Sequence, residues 1–253
     1  MRSHLTFGYD EPQRPGDYGI ETVNGMAWLV RAAEADETIK RKRGDKKSDS
    51  DEALELYIQR LMPVEALRIH GQHNATNALA ALALANAAGC AMSPMLHGLR
   101  DYRGEKHRVE SVAVMNEVEY FDDSKGTNVG ATAAALSGLG AERKLVLILG
   151  GVGKGQDFSP LILPITRYAR AVVLIGRDAP VIREVLETSN VPLLTADSMQ
   201  QAVSLASRQA RPGDAVLMSP ACASFDMFDN YEHRATVFCD AVQALALDEG
   251  VVL

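Results

Sequence analysis

An α/β fold, built on a doubly wound and mostly parallel sheet, is predicted for the larger part of this 253-residue chain by three observations. The runs Leu145-Val146-Leu147-Ile148-Leu149, Ala171-Val172-Val173-Leu174-Ile175 and Ala215-Val216-Leu217-Met218 are apolar at every position, as strands covered on both faces must be. Stretches of helical length and amphipathic pattern separate them. A pair of alternating runs at 111–115 and 117–121 adds an antiparallel hairpin in front. Such a sheet is Rossmann-like, with helices on both faces.

The elements follow in order. Residues 5–31 alternate apolar and polar side chains between Gly and Pro punctuation (5–9, 18–23, 27–30), which predicts two or three short antiparallel strands. A basic run at 40–47 passes at once into the acidic 48–52 without interleaved aromatics, so it reads as a solvated loop or hairpin tip. From Asn74 an Ala- and Leu-rich helix runs to Ala88, with Gly89 as its C-cap, and a short helix follows over 94–98. A boundary is placed at Tyr102-Arg103-Gly104, dividing the chain into 1–104 and 105–253. Beyond it the pattern predicts helices over 129–139, 161–170, 179–187, 198–210 and 231–246, and a short strand at 192–194.

Composition narrows the function. Hydrophobic residues make up 47% and charged residues 23%, an ordinary globular profile. No apolar run reaches the roughly 18 residues of a membrane span, so no membrane partner is expected. A net charge of −7 argues against a nucleic-acid partner. Three scattered cysteines, Cys90, Cys222 and Cys239, do not make a disulfide framework, and a reducing, cytoplasmic setting is expected.

In an open parallel sheet, ligands bind beyond the carboxyl ends of the strands. Three loops are expected at such ends: Asp122-Asp123-Ser124-Lys125-Gly126-Thr127-Asn128, Gly150-Gly151-Val152-Gly153-Lys154-Gly155-Gln156-Asp157, and Ser219-Pro220-Ala221-Cys222-Ala223-Ser224-Phe225-Asp226. The glycine loop is neither a P-loop, having Ile148 and Gly155 where Gly and Ser/Thr belong, nor a dinucleotide fingerprint, having Gln156 at the third glycine. Lys125 and Lys154, beside amide-rich turns and helix N-termini, suit carboxylates or phosphates. The hydroxyls of Thr127 and Ser224 would add donors, and together such groups could hold a small dianion. The alternative reading makes Thr127 and Ser224 helix N-caps and leaves the lysines solvated. His70 and His73 lack Cys or carboxylate neighbours that would make them a metal pair, and Cys222 reads as a buried structural thiol. No metal site and no catalytic residue is assigned.

With these motifs in view, Gly71-Gln72-His73-Asn74-Ala75-Thr76-Asn77, His107-Arg108, Asp123-Ser124-Lys125-Gly126-Thr127-Asn128, the 150–160 loop and Ser219-Pro220-Ala221-Cys222-Ala223-Ser224 resemble the Mur ligases, and among them the D-glutamate-adding branch, over residues 65–247. The resemblance implies ATP-dependent amide formation through an acyl phosphate in peptidoglycan precursor synthesis, with D-glutamate, UDP-N-acetylmuramoyl-L-alanine and ATP as small-molecule partners, Mg2+ as cofactor of the whole enzyme, and a monomer. It implies that Asn74, Asn77, His107, Arg108 and Asp123 face the nucleotide. Lys125, Thr127, Lys154, Ser224, Phe225 and Tyr231 would form the D-glutamate cradle, with Phe225 and Tyr231 standing where the family has Leu and Phe. Residues 1–104 match only the closing part of the family's central ATPase domain, and 105–253 its C-terminal domain. With no P-loop in the chain, no ligation is expected from it alone, nor tight cofactor binding. A sister Mur-type or folylpolyglutamate ligase, and a non-catalytic amino-acid- or nucleotide-binding module, are the alternatives.

Overall fold

The computed structural model of the chain describes residues 4–34, 56–69 and 71–251. The basic and acidic runs at 40–52, and His70, lie outside the described residues. The chain divides into two compact units, residues 1–69 with 74–103, and residues 70–73 with 104–253.

In the first unit, β1 (Tyr18–Val23), β2 (Met26–Glu34) and β3 (Leu56–Pro63) form an antiparallel sheet in that order. Asn24 and Gly25, both at positive φ, make the two-residue turn joining β1 to β2, the turn whose twist matches that of the flanking strands. The sheet buries Tyr18, Leu29 and Met62 against Ala75, Leu79 and Leu82 of α1 (Gln72–Ala87). Helix α2 (Met92–Asp101) completes the unit. One expectation is corrected here. Residues 5–9 form no strand but touch the outer edge of β1 through a single bridge, Phe7 to Tyr18, while β3, which the sequence pattern did not reveal, pairs with the far edge of β2.

The second unit holds a six-stranded sheet in the order β4-β5-β9-β6-β7-β8. β4 (Glu110–Met115) and β5 (Val118–Asp122) are the antiparallel hairpin. β6 (Leu145–Gly150), β7 (Ala169–Ile175), β8 (Leu193–Thr195) and β9 (Ala215–Met218) run parallel to β5. Alternation along the strands feeds two cores. Leu145, Leu147 and Leu149 pack with α3 (Val129–Gly140), α4 (Ile162–Tyr168) and α5 (Ala179–Leu186), while Val146 and Ile148 pack with α6 (Met199–Gln209) and α7 (Tyr231–Asp248). Both faces being covered, the strands are apolar throughout, as expected. The helix expected over 161–170 is shorter, because Ala169 and Arg170 join β7: Ala169 pairs with Leu145, and Arg170 forms an ion pair with Asp214. No helix among the described residues is long and apolar enough to cross a membrane.

Candidate functional site

Three neighbouring parallel strands, β5, β9 and β6, end on one edge of the sheet. Each is followed by one of the loops singled out above: 123–128 after β5, 219–230 after β9, and 151–158 after β6. Backbone bonds tie the last two together. Val152 N–H donates to Ala223 O at 2.8 Å, Ala223 N–H returns to Val152 O at 3.0 Å, and Gly150 N–H reaches Pro220 O at 3.0 Å. Gly151, at φ +128, makes this approach possible, since a Cβ there would overlap the Ala223 carbonyl oxygen. Gln156 braces the corner, its amide nitrogen donating to Gly153 O and Ala221 O and its oxygen accepting from Val129 N–H at the start of α3. Asp178 holds the glycine loop from β7's side by accepting Gly153 N–H at 2.7 Å.

The first loop is tied to the β9 loop through buried groups. Ser219 Oγ donates to Asp123 Oδ2 at 2.6 Å and lies 2.9 Å from Thr132 Oγ1. Burial pushes the Asp123 carboxyl up to about 7, against the pull of the Ser219 hydrogen bond. Asp122, also buried, is raised for the same reason, while its bond to His107 Nδ1, 2.7 Å from Oδ2, works the other way. From α7, Arg234 bonds both loops.

His107, Arg108, Lys125 and Tyr231 line one pocket of roughly 510 Å³. Lys125 Nζ donates to Tyr231 Oη at 2.9 Å and sits 4.4 Å from the ring centroid, a cation–π geometry. The His107 and Tyr231 rings meet edge to face at 6.0 Å. Lys154 is exposed at φ +54, at the tip of the glycine loop. Thr127 is half-buried, Ser224 buried, and Phe225 69% exposed. The capping alternative for the two hydroxyls is not what the structure has: Asn128 caps α3, its Oδ1 accepting Ala131 N–H, and Asn230 caps α7, its Oδ1 accepting His233 N–H. Asn74 and Asn77 belong to the first unit, in the opening turns of α1, with Asn77 Nδ2 bonded to Asn74 Oδ1 at 3.3 Å.

Cys222 is fully buried and its thiol is pushed up to about 12, which leaves no thiolate at neutral pH. One cluster brings three potential metal ligands within 4.8 Å of one another, His107, Glu110 and Asp122. Their atoms are already engaged, His107 Nδ1 with Asp122 and its backbone N–H with Glu110 Oε2. An imidazole in the set also fits poorly with the oxygen shell magnesium takes, so no step is assigned to magnesium on these residues.

Sequence reasoning missed Arg234, Gln156, Asp178 and Ser219. Only Arg234 left a signal, an arginine four residues before Phe238 on the apolar stripe of a helix.

Comparison with known proteins assigns this architecture. Residues 107–222 match the family model described as Mur ligase, glutamate ligase domain. The UDP-N-acetylmuramoylalanine–D-glutamate ligase of Polaromonas sp. strain JS666 is 76% identical over 253 residues, covering 100% of this chain and 42% of that protein. Those of Albidiferax ferrireducens and Ralstonia nicotianae are 68% and 57% identical, the chain covering 48% and 50% of them. The chain thus spans about half or less of the curated relatives it matches. The fold is shared with the UDP-N-acetylmuramate–alanine ligase of Thermotoga maritima, at TM-score 0.56 and 17% identity over 94% of this chain and 48% of that one. It is shared too with the folylpolyglutamate synthase of Mycobacterium tuberculosis, at TM-score 0.56 and 15% identity over 90% of this chain and 47% of that one. Residues 107–222 thus form a Mur ligase domain, and the chain aligns along its whole length with part of such a ligase.

Proposed function

We propose that this chain supplies the amino-acid-binding end of an ATP-dependent ligase that joins D-glutamate to UDP-N-acetylmuramoyl-L-alanine. A carboxylate resists amines until one oxygen is made a leaving group. ATP supplies the phosphoryl group, the D-glutamate amine attacks the acyl phosphate, and phosphate departs as the amide forms. In this reading Lys125 and Lys154 pair with the two carboxylates, and Thr127 and Ser224 donate hydrogen bonds to them. Tyr231 and Phe225 flank the aliphatic stem. His107, Arg108, Asp123, Asn74 and Asn77 serve the nucleotide. Residues 1–104 act as the closing part of the ATPase domain and 105–253 as the amino-acid domain of a monomeric cytoplasmic enzyme. No residue here takes a covalent role, and the chain by itself ligates nothing.

The observation that carries this reading is the helix capping. With Asn128 and Asn230 as caps, Thr127 and Ser224 have no capping duty, on loops that also present two ammonium groups. Four such donors on loops that follow adjacent strands suit a small dicarboxylate, each charge-assisted bond contributing about 1.5–3 kcal/mol. The 68–76% identity to D-glutamate ligases supports the choice of amino acid.

The test joins this chain to the preceding part of the Polaromonas relative and measures phosphate release and product with UDP-N-acetylmuramoyl-L-alanine and ATP. Turnover with D-glutamate and none with L-lysine is expected. A folded joined protein that prefers the diamine, or makes no amide, would contradict the proposal.

A further inference from the structure

Helix α7 carries one charged residue on its buried stripe. Arg234 is fully buried, with Ala235, Phe238, Ala241 and Val242 on the same face. Its guanidinium donates only to neutral oxygens: Nε to Ser124 Oγ at 2.9 Å, Nη2 to Ser124 O at 2.8 Å, and Nη1 to Cys222 O at 3.0 Å. It forms no ion pair among the described residues. Burial disfavours the cation and pulls the guanidinium down to about 10, and the carboxylates of Asp122, Asp123 and Asp226 offset that cost only from beyond ion-pair distance. Charge pairing therefore does not explain the residue.

What it organises does. Ser124 immediately precedes Lys125, and Cys222 stands two residues before Ser224. Ser124 Oγ, accepting from Arg234, donates onward to Tyr231 O at 2.7 Å, and the hydroxyl of Tyr231 holds the Lys125 ammonium. One planar fork thus reaches the backbone beside three groups of the amino-acid site. Only arginine presents donors in that fixed plane; a lysine ammonium is a point charge with freely turning protons.

We propose that Arg234 is a positioning residue of the amino-acid site, locking the Ser124 and Cys222 loops in one register so that Lys125, Ser224 and Tyr231 address the same anion. It touches no ligand. The proposal rests on the D-glutamate reading for its ligand but not for its geometry.

The test uses the full chain with Arg234→Lys, which keeps the charge and loses the fork, and Arg234→Met, which loses both. Amide hydrogen exchange is followed at Lys125 and Ala223, whose N–H groups bond His107 O at 3.1 Å and Val152 O at 3.0 Å, with Leu147 of β6 as the internal reference. D-Glutamate binding is followed by ligand-observed NMR. In Arg234→Lys the two loop amides should exchange about tenfold faster and D-glutamate bind about tenfold more weakly, with Leu147 unchanged; tenfold is about 1.4 kcal/mol. Unchanged loop protection would overturn the proposal. So would an equal loss at Leu147, or failure of both variants to fold, since either assigns Arg234 to stability alone. If the unmutated chain binds no D-glutamate, the substrate reading fails while the exchange data still decide the positioning role.

Discussion

Replacing Gly151 by alanine tests how the glycine loop is fastened to the β9 loop. Gly151 has φ +128, and its Cα lies so close to the β9 loop that an added Cβ would overlap Ala223 O. Relief requires the Val152–Ala223 bridge to open, losing two backbone bonds of 2.8 and 3.0 Å. The disfavoured dihedral costs about 1–3 kcal/mol, and each lost bond about 0.5–1.5 kcal/mol. The sum centres near 4 kcal/mol, a Tm lower by about 8–16 °C for a unit of this size. Gly155 provides the internal control, since it has φ +73 with open space around it. There alanine meets only the left-handed strain, about 1–2 kcal/mol. Thermal and denaturant unfolding of the two variants, with m-values compared, separates the cases. If Gly151→Ala loses no more stability than Gly155→Ala, the bridge does not hold the loops and the reasoning is refuted.

Two further outcomes follow from the same geometry. Asp123 titrates near 7 in the folded chain against about 3.9 unfolded, so its contribution is fully present below pH 4 and is lost as pH rises through 7. Asp123→Asn should therefore gain stability relative to the unmutated chain between pH 5 and pH 8, by about 2–4 kcal/mol, in paired urea titrations; a flat difference would contradict the raised carboxyl. Ser198, whose side chain accepts from Gln201 N–H at the start of α6, should cost about 1 kcal/mol when changed to alanine, read as a Tm lower by about 2–4 °C with D-glutamate binding unaffected.

The parts of the fold legible in the sequence are those where one requirement dominates. β6, β7 and β9 are covered on both faces, so every position is apolar and their runs stand out; the caps, Gly and Pro around them set the helices. The first unit is harder because its strands are half-exposed, and β3 mixes half-buried and exposed residues, with Met62 alone buried and no continuous apolar run. In the site, lysines in glycine-rich loops are conspicuous, whereas their fastenings are not. The Val152–Ala223 bridge joins residues far apart in sequence, and it depends on β9 inserting between β5 and β6, an order that strand pattern does not encode. Asp178, Gln156 and Ser219 are polar residues of ordinary surface type until tertiary contact gives each a partner. Arg234 is the informative exception: its place on an apolar stripe was readable, but its two loop partners were not.

Three loops at adjacent strand ends are proposed to form a cradle for a D-glutamate-like dianion. Ligand-observed NMR on the chain with D-glutamate, L-glutamate and L-lysine, repeated on Lys154→Ala, is the decisive measurement. A D-glutamate signal absent for the other two, and lost in the variant, is predicted. An equal signal for L-lysine, or a D-glutamate signal that survives the substitution, would contradict the cradle.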